Sequence, residues 1–162
     1  MRLPGDNELP EPLIRLTRLQ FAHGLMVVTV ATVIWLPAPT LAQHWLALVP
    51  RLVALYLLLQ TGLYVGAELA RGAATLLPAA GLLALAALVA ALTPTLAATL
   101  LMAAATMMLF ALEKVAAIRE HWPAAWQRGR RQHMQLQMVS LASVLFWLFS
   151  QDNQALIQRA LG

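Results

Sequence analysis

Charged and apolar positions in this chain fall into long separate blocks. From Gly72 to Leu112 there are 41 consecutive residues without a charged side chain, bounded by Arg71 and Glu113. One straight helix of that length would measure about 60 Å, roughly twice the hydrocarbon thickness of a bilayer, so the stretch is expected to fold back on itself. Thr93-Pro94-Thr95 marks the reversal near its middle, because proline interrupts the backbone hydrogen-bond ladder. The block reads as a transmembrane hairpin with arms at 76–92 and 96–112, so rich in Ala and Leu that each arm can approach its neighbours closely.

The flanking blocks add helices. Leu19 to Leu36 is uncharged and long enough for a first span, ended by Pro37-Ala38-Pro39. Arg15 and Arg18 before it mark a helix start at the interface. They also resemble the basic start of a signal peptide, with Thr40-Leu41-Ala42 as a loose cleavage site, but the segment is taken as a retained span. Pro50 suits the first turn of a second span over 50–69, with Arg51 and Glu68 near its ends and within reach of the interface. Met134 to Ser150 supplies a fifth. Short interfacial segments join them: 40–49 with His44 and Trp45, and a basic, tryptophan-bearing stretch through Arg119, Trp122, Trp126, Arg128, Arg130 and Arg131. Residues 1–18 form an N-terminal tail and 151–162 a short polar C-terminal tail with helical spacing at Leu156, Ile157 and Leu161. The expected architecture is an all-α integral membrane protein, a bundle of five transmembrane helices across 19–150. A four-span variant, with the Ala-rich hairpin re-entrant, puts both termini on one side.

Composition supports the membrane class: 60% of the residues are hydrophobic and 11% charged, and mean hydropathy is +0.70. The absence of cysteine removes disulfides, thiolate metal sites and cysteine nucleophiles. A pI near 10.7 raises the question of nucleic acid, but five spans place nine of the eleven basic residues on one side and only Arg51 and Arg159 on the other. The positive-inside rule then makes the N-terminus cytoplasmic and the C-terminus external, in a bacterial cytoplasmic (inner) membrane, and no nucleic-acid partner is called for. Trp35, Trp45 and Trp147 fall at the outer boundary and Trp122 and Trp126 at the inner one.

Candidate chemistry is sparse. Gly62, Gly66 and Ala70 are spaced by four, the small-residue pattern that lets helix backbones approach closely in lipid, and packing is their expected role. The hairpin offers matching surfaces at Ala80 and Ala84, Ala86 and Ala90, and Ala87 and Ala91. Gln60 is the strongly polar side chain near the centre of a span; an interhelical hydrogen bond is preferred over a transport site. His23 and His133 lie at similar depth on the same side and are the residues that would ligate haem b or bind a quinone; hydrogen-bonded interfacial histidines are the simpler reading. Met102, Met107, Met108, Met134 and Met138 are expected to be packing residues, not a copper path, and no metal site is expected. Glu68 and Glu113 are expected to be hydrated at the cytoplasmic ends. The basic segment from Arg119 to Arg131 serves as a topological anchor and as a contact for anionic lipid or a partner. Ser140 and Ser143 have no histidine one turn away to activate them, and no phosphate-binding loop or hydrolase motif occurs. The pattern leads to a non-catalytic accessory or scaffolding subunit among other integral membrane subunits and membrane lipid. The alternatives are a haem- or quinone-binding redox anchor and a small transporter or permease subunit centred on Gln60.

Overall fold

The computed structural model describes residues 10–36, 45–114 and 122–161, which form five α-helices. The first, α1, spans Glu11–Val33 and starts eight residues before the expected span. A proline in its first turn lacks only an N–H that has no helical partner there, and Glu11 in the same turn complements the positive end of the helix dipole. The interfacial segment with Arg15 and Arg18 is therefore the beginning of the same helix. Arg15 pairs with Glu11 at 2.8 Å one turn away, an exposed pair that contributes little.

The second helix, α2, spans Leu48–Arg71 and stops at Gly72, whose φ of 63° is left-handed. The Gly72 and Ala73 N–H groups donate back to the Leu69 and Glu68 carbonyls, satisfying the end of the helix. The hairpin follows: α3 over Leu77–Leu92 and α4 over Thr95–Leu112, separated by extended Thr93 and by Pro94. These match the expected arms within one residue. The last helix, α5, runs unbroken over Ala124–Leu161, 38 residues. The basic segment after Pro123, the expected fifth span and the C-terminal tail are thus one element. No proline follows Pro123, so nothing in the backbone forces a stop. At about 1.5 Å per residue α5 is nearly twice as long as a bilayer core is thick.

Three helices, α1, α2 and α4, are long and apolar enough to cross a membrane; α3 is equally apolar but has 16 residues. Exposed Leu55, Leu82, Leu92, Val139 and Phe146 lie on the outer surface of the bundle. That distribution suits a protein solvated by lipid. α2 packs most extensively on α3, and α1 on α5. α1 and α5 run parallel: His23 meets His133 at an offset of 110 residues and Trp35 meets Ser143 at an offset of 108. α2 is antiparallel to both, since Leu52 and Tyr56 lie beside His23 while Tyr64 lies beside Arg130.

This arrangement divides the interior into a more apolar and a more polar half. Beyond His23 towards the Trp35 end, the buried side chains include Val27 and Val30 of α1, Ile34 just past its end, Val49 and Val53 of α2, and Ser140, Leu141 and Val144 of α5. Towards the opposite end, buried Gln20, Gln60, Tyr64, Glu68, Glu113 and Arg130 lie among apolar Leu57, Leu109, Trp126 and Met134.

Candidate functional site

The polar half is built from residues that share one face of each helix. On α2, Tyr56, Gln60, Tyr64 and Glu68 recur every fourth position and all are buried. On α5, Trp126, Arg130, His133 and Gln137 are buried at alternating spacings of four and three. Gln20 and His23 of α1 and Glu113, which caps α4, complete the set. The fourfold spacing on α2 is visible in the sequence and is the signal by which this stripe, apart from Gln60, could have been found.

At the end of the stripe, Arg130 forms a buried ion pair with Glu113, Nη2 to Oε1 2.7 Å, with the side chains 2% and 6% exposed. The same Nη2 donates to the Tyr64 hydroxyl at 2.7 Å, and the guanidinium lies 5.0 Å from the Tyr64 ring centroid. Burial pushes the Glu113 carboxyl above its ordinary range, while the Arg130 and Arg131 charges pull it back. Glu68 is buried too: it pairs with Arg71 and accepts from the Thr75 hydroxyl and the Leu76 N–H, both at 3.0 Å. It thereby places a carboxylate at the N-terminus of α3, where the helix dipole favours it. Neither acid is the hydrated interfacial group expected from the sequence: Glu113 pairs with buried Arg130, and Glu68 is buried beneath Arg71, which stays exposed at the end of α2.

Deeper in, His23 and His133 are brought into direct contact, as their similar depth suggested. The Leu52 carbonyl accepts from His23 Nε2–H at 2.9 Å, which leaves His23 Nδ1 to accept from His133 Nε2–H at 3.3 Å. The Gln137 amide nitrogen lies 3.0 Å from the same His133 nitrogen, and the Gln137 amide oxygen has no partner among the described residues. The Tyr56 ring packs on both, with centroids 4.1 Å from His133 and 5.7 Å from His23. Haem does not fit this pair as arranged. Bonds of about 2.0 Å to a metal from opposite faces hold two nitrogens about 4 Å apart, with the macrocycle between them. Here the rings touch, and Gly24 closes the gap beside His133.

Gln60 differs from its expected role. It is fully buried, but neither its amide oxygen nor its nitrogen has a hydrogen-bond partner among the described residues, and the Tyr56 hydroxyl is in the same state. Buried polar groups are nearly always paired, so such atoms mark a site with unspent hydrogen-bonding capacity.

The other candidates separate by face. Gly62, Gly66 and Ala70 are exposed, and neither glycine position has a neighbour within 4 Å among the described residues, so the described helices do not pack at either glycine. α3 instead buries Ala80, Leu83, Ala87 and Ala90. Of the basic, aromatic segment expected to meet lipid, Trp126 and Arg130 turn inward as a correction to that expectation, because both fall on the buried face of α5. Trp122 is half-buried and stacks on Trp126, Arg128 is exposed, and Arg131 is half-buried. Arg119, together with His44 and His121, lies outside the described residues. Met102 and Met134 are core residues while Met107 is exposed, and among the described residues no three His, Cys, Asp or Glu side chains cluster as metal ligands. A cavity of about 230 Å³ at the junction of α4 and α5 is lined by Phe110, Glu113, Lys114 and Arg131.

The chain matches no family model, no curated protein and no solved structure.

Proposed function

We propose that this chain is a five-span protein of the bacterial cytoplasmic membrane, working as a non-catalytic accessory or scaffolding subunit of a larger membrane complex. The observation that carries this reading is the exposed α2 face at Gly62, Gly66 and Ala70, which has no contact at either glycine among the described residues. In lipid, close approach at small residues drives helix association, because hydrophobicity alone does not distinguish a neighbouring helix from acyl chains. The face is flanked by exposed Leu55, Leu58, Leu59 and Leu69. It is a surface for another integral membrane subunit. Arg71 and Lys114 lie at helix ends, and Arg128 and Arg131 within the first two turns or so of α5, on the side that the positive-inside rule makes cytoplasmic, with the N-terminus inside and the C-terminus outside.

The absence of cysteine makes the test direct. A single Gly66→Cys variant in native membranes is expected to crosslink to an unlike subunit, while Leu82→Cys, at a position 58% exposed on α3, is expected not to. Native mass spectrometry of the same extract then identifies the partner. A bare monomer with no specific adduct at position 66 overturns the reading.

A second reading, a redox anchor that binds a quinone, is favoured by the meeting of His23, His133 and Tyr56 beside the unspent Gln60 amide. It predicts a co-purifying quinone that is lost in Gln60→Leu. A transporter centred on Gln60 predicts loss of flux in that variant with assembly intact, but the mostly apolar packing of Val27, Val30, Val53 and Leu141 beyond His23 disfavours passage of a polar solute.

A further inference from the structure

His23 and His133 have the mutual geometry of two ligands on one tetrahedral metal ion. Bonds of about 2.05 Å from two imidazole nitrogens to such an ion hold the nitrogens about 3.3 Å apart and, with both rings aimed at the ion, the ring centroids about 5.2 Å apart. The observed separations are 3.3 Å between His23 Nδ1 and His133 Nε2 and 5.2 Å between the centroids. A straight N–H···N bond of that length would put the centroids about 5.6 Å apart, so the contact is bent, as it is when both nitrogens aim at a point beside the line joining them.

The surroundings of both rings agree. His23 donates Nε2–H to the Leu52 carbonyl at 2.9 Å, the kind of contact that fixes the tautomer of a metal-ligating histidine, and Nδ1 is left as a lone pair. His133 Nδ1 makes no hydrogen bond among the described residues, and the Gln20 carbonyl acts on the same ring. The proton on His133 Nε2 can therefore move to Nδ1 when an ion takes its place. Gln137, one turn along α5 and fully buried, brings its amide nitrogen 3.0 Å from Nε2, while its amide oxygen has no partner among the described residues. A half-turn of the amide exchanges the two and presents the oxygen instead. His23 keeps part of its surface exposed, and an ion taken up as α1 and α5 close needs no channel.

We infer that His23 Nδ1, His133 Nε2 and the Gln137 amide oxygen bind a zinc ion, with a water at the fourth position, and that the ion clamps α1 to α5. A donor set of imidazole and oxygen, without thiolate or thioether, favours zinc over copper(I), and its two nitrogens disfavour calcium and magnesium. The site does not depend on the accessory-subunit reading.

The test is zinc binding by the full chain in detergent micelles, purified without a histidine tag; having no cysteine, it offers no thiolate site. Titration with zinc chloride is expected to show one ion per chain, and X-ray absorption at the zinc edge two imidazole nitrogens at about 2.0 Å. His23→Asn and His133→Asn are each expected to lose the ion. Gln137→Glu supplies a negative ligand and is expected to lower the Kd; it leaves both rings in place and so reads the site even where the histidine variants fail to fold. No saturable uptake by the wild-type chain, fewer than two imidazoles in the absorption spectrum, or an unimproved Kd in Gln137→Glu overturns the site. Retention of zinc by folded His23→Asn overturns it as well, and would place the ion at another histidine. Tighter binding of copper(I) than of zinc overturns the choice of ion.

Discussion

Gly24 and His133 fit against each other with no room to spare: a Cβ built on Gly24 would lie 2.9 Å from His133 Nδ1 and 3.3 Å from Cε1. The absence of a side chain at position 24 is what lets parallel α1 and α5 close to the distance at which His23 and His133 meet. Gly24→Ala is therefore expected to lower stability by about 1–3 kcal/mol, the cost of overpacking a well-filled core, despite alanine's better helix propensity. Unfolding in mixed detergent micelles measures it. His133→Ala in the same background should recover part of the loss, and additive effects of the two changes would show that the contact does not exist.

The Arg130–Glu113 pair yields a cycle. Arg130→Met strands a buried carboxylate and is expected to cost about 3–5 kcal/mol, whereas Arg130→Met combined with Glu113→Gln removes both charges and should cost much less. Equal losses in the single and double variants would place the pair in a hydrated setting.

Gln60 makes an opposite prediction. With no hydrogen-bond partner among the described residues, its burial is a cost that Gln60→Met removes, so stability should stay level or rise. A drop of about 1 kcal/mol or more, the loss typical of a broken hydrogen bond, would restore the interhelical bond suggested by sequence. If stability rises while a bound quinone or a flux is lost, the amide belongs to a ligand.

Gly72 is the left-handed stop between α2 and α3. Gly72→Ala is expected to cost about 1–2 kcal/mol, because a Cβ in that conformation crowds the following carbonyl. The loss should appear in global unfolding, since Glu68, Thr75 and Leu76 bridge the same turn. No measurable loss would mean that the turn adopts another conformation in the membrane.

Legibility followed the range of the forces. The hairpin arms agree within one residue because their limits are local: an uncharged run of fixed length and a proline at the reversal. The unbroken length of α5 was missed because a change from basic to apolar composition is not a backbone signal; only the lack of any proline after Pro123 bore on it. Arg130 and Trp126 looked like interfacial residues for the same reason. Composition gave the depth of α5 residues, while the helical repeat gave their direction.

The sequence by itself determined an all-helical chain, three helices long and apolar enough to cross a membrane, and the concentration of positive charge at particular helix ends, since run length, charge and proline act within a few residues. Only the tertiary structure decided which faces meet. Whether the Tyr56, Gln60, Tyr64 and Glu68 stripe would face lipid or protein depended on α1, α4 and α5 arriving beside it from distant positions in the chain. Their packing brought Glu113 to Arg130 and His23 to His133, because a polar group withdrawn from water is stabilised by polar partners, and here those lie on other helices.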